Sequence, residues 1–334
     1  MVSEMTLGAS VRALSKKRLL VFLGVVIVAL FPVSQALART LTPFDSGHTG
    51  QTTSSITVVS TRSLSPQQNA SQTNQPNLTQ KLADKKISTS PVSLASGFNP
   101  EVDGFHFSNW SEPLSSPAES IALLISIFGS ESICRQNSSS TTCDPYPSAS
   151  SFASAMNERL AYGRCEGMVI LASRLFSEKR NGLRLGNTSD LSKDQLAEQI
   201  SYWWGTQILP AVSAESERTR ELQPSDLIGL IGESITSGAT STLGIYQGES
   251  GHTLLPIAMR TINGTVHIDV YDGNTPQLTQ ALTINIVNES WVYAARDSSG
   301  NLLMQWSGSG AGSLDIIPIA IRTPQATSSF ANSK

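Results

Sequence analysis

The chain has 334 residues, of which 39% are hydrophobic and 15% charged, and a formal net charge of −3. No block of lysine or arginine stands out, which argues against nucleic acid as a main partner. One apolar run approaches membrane-spanning length, and it lies near residue 1.

That run occupies 19–33, broken only by Gly24 and Pro32. Lys16, Lys17 and Arg18 precede it, and Ser34-Gln35-Ala36-Leu37-Ala38 follows. A basic cluster, a short apolar stretch and an Ala-x-Ala site make a secretory signal peptide over 1–38, cleaved after Ala38. An uncleaved signal anchor is the alternative reading. The folded part is therefore expected outside the cytoplasm, secreted or at the cell surface. Contact with a membrane is expected only through this segment.

Residues 39–97 read as a disordered spacer. From 51 to 96 there is no Phe, Tyr or Trp, and Ser, Thr, Gln and Asn dominate. Such a segment has too little apolar surface to offset the entropy of ordering it. Aromatic residues return with Phe98, Phe105, Phe107 and Trp110, so one domain is assigned to 98–323. The tail at 324–334 is again polar and expected to fray.

The first half of this domain carries helical patterns. Ser116, Pro117 and Glu119 form a start signal for a helix over 117–128, ended by Gly129. A second helix is expected near 152–159. Apolar spacing at Met168, Leu171, Ala172, Leu175 and Phe176 predicts a third over 165–179. Ser192 and Gln195 form another capping box, opening a helix that runs to Ile208 and stops at Pro210. A last helix is expected over 224–237. The adjacent Trp203 and Trp204 fit core positions better than a substrate groove.

The second half alternates as short strands at 243–246, 253–262, 266–271, 281–287, 291–296, 302–306 and 314–321. Asn263-Gly264, Asp272-Gly273-Asn274 and Ser299-Gly300-Asn301 supply turns between several of them. Helices followed by an antiparallel sheet give an α+β domain.

Three cysteines in an exported chain do not pair evenly. Cys134 and Cys143 flank a polar loop and suit a short disulfide. Cys165 is left over, as a reactive thiol or a buried structural one. Its surroundings, Tyr162-Gly163-Arg164-Cys165-Glu166-Gly167-Met168, form a turn running into an apolar helix. A sulfur at a helix N-terminus is favoured as thiolate, since the free N–H groups and the dipole stabilise negative charge. Arg164 adds positive charge nearby and Glu166 opposes it.

A thiolate nucleophile needs an imidazole partner. His48 lies beside the spacer, His106 precedes the helical half and His267 is mid-strand. His252 follows Gly248-Glu249-Ser250-Gly251 and opens a strand, where it can face a helix end across a cleft. The hairpin through Asn263-Gly264 brings Asp272 or Asn274 back towards it, as an acceptor that fixes the imidazole tautomer. Taken singly, Asp272-Gly273-Asn274 is ordinary turn chemistry. Cys, His and Asp in that order, each at an element boundary, point further.

Gly163-Arg164-Cys165-Glu166-Gly167-Met168, Gly251-His252-Thr253-Leu254-Leu255-Pro256 and Val270-Tyr271-Asp272-Gly273-Asn274-Thr275-Pro276 together resemble exported bacterial proteins of papain-like cysteine-peptidase type. The bacteriocin-processing peptidase-like branch is the nearest in shape. The resemblance implies a papain-like α+β fold, with the nucleophile helix of the helical half packed on an antiparallel β-sheet. It implies Cys165 as nucleophile, His252 as general base and acid, and Asp272 as orienter, with Asn274 as second choice. Asn109 would take the oxyanion position, beside the Cys165 N–H. A peptide or protein substrate, including one on a cell surface, is expected, with no metal and no cofactor. The alternative is an inactive papain-like module that binds an extracellular or cell-surface ligand. A purely structural role on a stalk is a third reading.

Overall fold

The computed structural model describes residues 93–135 and 143–323. The expected signal, nearly all of the spacer, residues 136–142 and the tail at 324–334 lie outside the described residues. Among the described residues no helix is long and apolar enough to cross a membrane.

The fold is α+β. Among the described residues, a short strand β1 (Ser93–Ala95) leads into eight helices: α1 (Pro100–Asp103), α2 (Pro117–Phe128), α3 (Ser130–Ile133), α4 (Pro147–Leu160), α5 (Cys165–Arg180), α6 (Lys193–Gly205), α7 (Pro210–Arg220) and α8 (Pro224–Thr236). Seven strands follow: β2 (Ser241–Gln247), β3 (Ser250–Ile262), β4 (Thr265–Tyr271), β5 (Thr279–Asn285), β6 (Ser290–Arg296), β7 (Leu302–Ser309) and β8 (Leu314–Pro318).

Local sequence accounts for most helix starts. The Ser116 hydroxyl accepts the Glu119 N–H at 3.2 Å, and Pro117 occupies the first turn of α2. The Glu119 carboxylate reaches back to the Ser115 N–H at 3.0 Å. At α6 the capping box closes both ways, with the Ser192 N–H on Gln195 Oε1 at 2.8 Å and the Gln195 N–H on Ser192 Oγ.

Three expectations need correction. The helix expected to reach Ile208 ends at Gly205 and tightens into a 3₁₀ turn, and Pro210 opens a further helix, α7. Proline suits the first turn of a helix as well as the residue after one. The last strand stops at Pro318, ahead of a 3₁₀ turn over Ile319–Ile321. Ordered structure also begins at Ser93, inside the stretch assigned to the spacer: Ser93 and Ala95 pair with Arg260 and Ala258. The Ser-Leu-Ala of β1 carries no strand pattern of its own, and its pairing comes from β3.

The sheet order is β7-β6-β5-β4-β3-β2-β8, antiparallel throughout, with β1 also on β3. β3 is the hinge of this sheet. Its first half pairs with β2, and its second half pairs with β4 on one side and β1 on the other. The register shifts between Pro256 and Ala258, where proline offers no N–H to a neighbour. The sheet curls until β7 lies against β2.

Helix α8 buries Leu227, Ile231 and Ile235 against the strands, including Leu243, Ile268, Tyr293 and Ile316. Helices α2, α3 and α4 share a second core with Trp204, Leu209 and Ile317. Helix α5 lies between helices and sheet, with Met168, Val169, Leu175 and Phe176 packed on Leu255, Ile257, Tyr271 and Ile200. Burial of each such side chain is worth about 1.5–3 kcal/mol relative to water, so α5 is held firmly. A Cβ on Gly167 would stand 2.0 Å from the Ile200 carbonyl oxygen, so α5 and α6 meet backbone to backbone. Trp204 is core, and the partly buried Trp203 packs beside the α5 core with the Arg174 guanidinium 4.4 Å from its ring centre.

Candidate active site

Cys165 is the first residue of α5. Ahead of it, the Tyr162 and Gly163 N–H groups close a turn on the Arg159 and Leu160 carbonyls at 3.0 and 3.1 Å. The first N–H groups of a helix have no acceptor within it, so this end of α5 presents free donors and a partial positive charge beside the sulfur. Cys165 is a free thiol, partly exposed. Cys134 and Cys143 form the disulfide, with their Cα atoms 5.3 Å apart.

His252 is the third residue of β3, paired with Ile245 of β2 and 6% exposed. Its strand begins two residues earlier than its Gly-rich lead suggests. The imidazole Nε2 lies 2.9 Å from Asp272 Oδ1, and the ring is close enough to the Cys165 side chain to feel its charge. With Nε2 occupied by the acid, Nδ1 is the nitrogen left for the sulfur. The Trp306 ring from β7 stacks on the imidazole, with centroids 6.2 Å apart. The curl of the sheet is what brings this outer strand to β3.

Asp272 directly follows β4 and is fully buried. A buried carboxylate is costly unless its oxygens are bonded, and here three donors meet them. Oδ1 accepts from His252 Nε2 and from the Asn274 N–H at 2.8 Å, and Oδ2 accepts from the Tyr293 hydroxyl. Burial alone would raise the Asp272 pKa, but His252, Tyr293 and Asn274 hold it below the ordinary range. Burial alone would lower that of His252. The Asp272 charge and hydrogen bond, joined by the Cys165 side chain, lift it well above its ordinary value. The site therefore favours a protonated imidazole between an acid and a sulfur. Burial and the Asp272 charge push the Tyr293 hydroxyl far above its usual range, so it serves as a neutral donor.

The two asparagines named from the sequence sit beside this triad. Asn274 Nδ2 is 3.5 Å from His252 Nε2, farther than Asp272 Oδ1, the nearer partner of the ring. Asn109 Oδ1 accepts the Arg164 N–H at 2.7 Å, and its Nδ2 donates to Asn274 Oδ1 at 3.1 Å. Its own N–H donates to the Gly273 carbonyl at 2.8 Å. Gly163, at φ 121°, makes room for this amide: a Cβ there would stand 2.7 Å from Asn109 Nδ2.

The flanking charges are placed differently from their sequence reading. The Arg164 side chain is buried, with Nε on Ser201 Oγ at 3.0 Å and the guanidinium 4.8 Å from the Trp110 ring centre. Burial brings its pKa down to about 10. It braces α5 against α6 and is committed to those contacts. Glu166 is turned to Arg322, 2.5 Å away and fully buried. His106 bonds the Ser189 carbonyl and His267 lies mid-strand in β4, so neither joins the site.

Tyr293, Trp306 and Arg322 were not singled out from the sequence. Tyr293 shows only the inward phase of an alternating strand, and nothing local ties it to Asp272. Among the described residues, no group of three or more His, Cys, Asp or Glu is placed to hold a metal. Compared with known proteins, the chain matches no family model, no curated protein and no solved structure.

Proposed function

We propose that this protein is a papain-like cysteine hydrolase that works outside the cytoplasm and cleaves peptide or amide bonds through a thioester on Cys165. The observation that carries the reading is the pairing of His252 with the buried Asp272, set beside the free thiol of Cys165 at the head of α5. The order of elements supports it, with the thiol heading a helix, the imidazole in a strand and the acid after the next strand. The Cys134–Cys143 disulfide suits an oxidising compartment.

The chemistry follows from the geometry. The Cys165 thiolate attacks the substrate carbonyl carbon, and the free N–H groups at the start of α5 face the developing oxyanion. His252, protonated at both nitrogens, donates the Nδ1 proton to the leaving amine as the carbon–nitrogen bond breaks. A water then gives a proton to Nδ1 and attacks the thioester, releasing a carboxylic acid and regenerating the thiol pair. Asp272 holds Nε2–H throughout and fixes which nitrogen faces the sulfur.

Alkylation with iodoacetamide tests the site directly. Cys165 should react at about pH 5, well below the range of an ordinary thiol near 8.5. Hydrolysis of peptide and ester substrates should disappear in Cys165→Ala. A thiol that reacts only at alkaline pH, with no Cys165-dependent turnover, would leave an extracellular binding module as the better account.

A further inference from the structure

We propose that Asn109 is a positioning residue that sets the spacing between Cys165 and His252 by clamping the nucleophile turn to the loop that carries Asp272. This inference rests on the hydrolase reading above and assigns Asn109 a different task from the oxyanion role that its resemblance implied.

Asn109 sits between two segments that are far apart in sequence. Its side-chain oxygen holds the Arg164 N–H at 2.7 Å, immediately before the nucleophile. Its side-chain nitrogen holds Asn274 Oδ1 at 3.1 Å, and its main-chain N–H holds the Gly273 carbonyl at 2.8 Å. Asn274 in turn gives its N–H to the Asp272 oxygen that faces His252. The result is a continuous path from the Arg164 amide, through Asn109 and Asn274, to the acid behind the imidazole. Both ends of the Asn109 amide are used along it.

The turn is shaped to admit this side chain. Gly163 takes a backbone conformation that L side chains rarely adopt, and its missing Cβ leaves the space that Asn109 Nδ2 fills. A thiol and an imidazole interact strongly only when held within hydrogen-bond reach, so a strut of this kind acts on the nucleophile through its distance to the base. The ionisable groups around the sulfur are His252 from β3, Asp272 and Tyr293 behind it, Glu166 paired with Arg322, and Arg164 turned towards Trp110. Replacing Asn109 changes none of these charges.

The experiment is the rate of iodoacetamide alkylation of Cys165 against pH, measured beside turnover, for wild type, Asn109→Ala, Asn109→Ser, Asn274→Ala and the double alanine variant. Asn109→Ala should slow alkylation at about pH 5 roughly fivefold, as expected when the imidazole's opposite charge moves away from the sulfur. Asn109→Ser, which adds no charge and is too short to reach Asn274, should slow it likewise. Asn274→Ala should do likewise, and the double variant should lose less than the two single losses combined, because the two side chains share one bond. If Asn109→Ala fails to fold, Asn109→Ser and Asn274→Ala carry the test. An unchanged alkylation curve with lost turnover would overturn the clamp and make Asn109 an oxyanion donor. Curves and turnover both unchanged would also overturn it. Wild-type alkylation confined to alkaline pH would instead sink the thiolate–imidazole reading itself, whatever the variants do.

Discussion

His252 Nε2 stands 2.9 Å from Asp272 Oδ1, with side chains 6% and 0% exposed. Their ionisation is therefore linked to stability. The raised pKa of His252 contributes stability that is complete below its ordinary 6.5 and is lost as pH rises through the higher folded value. The lowered pKa of Asp272 contributes stability that is complete above its ordinary 3.8 and is lost as pH falls through the lower folded value. Both contributions are whole between those two ordinary values. The stability advantage of wild type over Asp272→Asn should be largest there and shrink as pH rises further. Thermal denaturation across about pH 4 to 9 checks this, and a pH-independent difference would count against the ion pair.

The thiols separate chemistry from fold. Cys165→Ala should abolish turnover and leave the melting temperature nearly unchanged, because the side chain is partly exposed and in no bridge. Cys134→Ser opens a loop of sequence separation 9 and should cost about 2–3 kcal/mol in the loop-closure account, while the folded fraction keeps its activity. Denaturant titrations beside activity assays measure both, and the opposite pattern would reverse the two assignments.

Gly163→Ala should harm function more than stability. It places a Cβ 2.7 Å from Asn109 Nδ2 at φ 121°. The backbone strain costs about 1–2 kcal/mol, and the displaced amide should reduce turnover well beyond that loss. Gly129→Ala is the control, since Gly129 also has a positive φ, 82°, but nothing lies within 4 Å of the added Cβ. Similar melting shifts with turnover lost only in Gly163→Ala are expected. Equal turnover in both variants would show that the Asn109 seat does not matter.

Arg322→Met should be strongly destabilising. Arg322 is fully buried and its Nη2 meets Glu166 at 2.5 Å, with further contacts to Thr206 and Thr242. Removing one member of a buried pair leaves the other without its partner, a loss of about 3–5 kcal/mol. Adding Glu166→Gln to Arg322→Met should recover much of that. Chemical denaturation of wild type and the two variants decides it, and a double variant no better than Arg322→Met would mean the pair is not the source.

Much of this protein was determined by short-range features of its sequence. The caps at Ser116 and Ser192, the helix headed by Cys165 and the hairpin turn at Asn263-Gly264 depend on hydrogen bonds and side-chain periods spanning a few residues. Cys165, His252 and Asp272 were legible because each falls at or beside such a boundary. The tertiary structure decided the rest. β1 is a strand because β3 has open donors and acceptors beside it. Tyr293 reaches Asp272 across 21 positions, and Arg322 reaches Glu166 across 156. Asn109 bonds two segments 55 and 165 positions away. Trp306 meets His252 only because the sheet curls. No local pattern records these partners, because burial and the need to satisfy polar groups act between segments that meet only after the chain has folded.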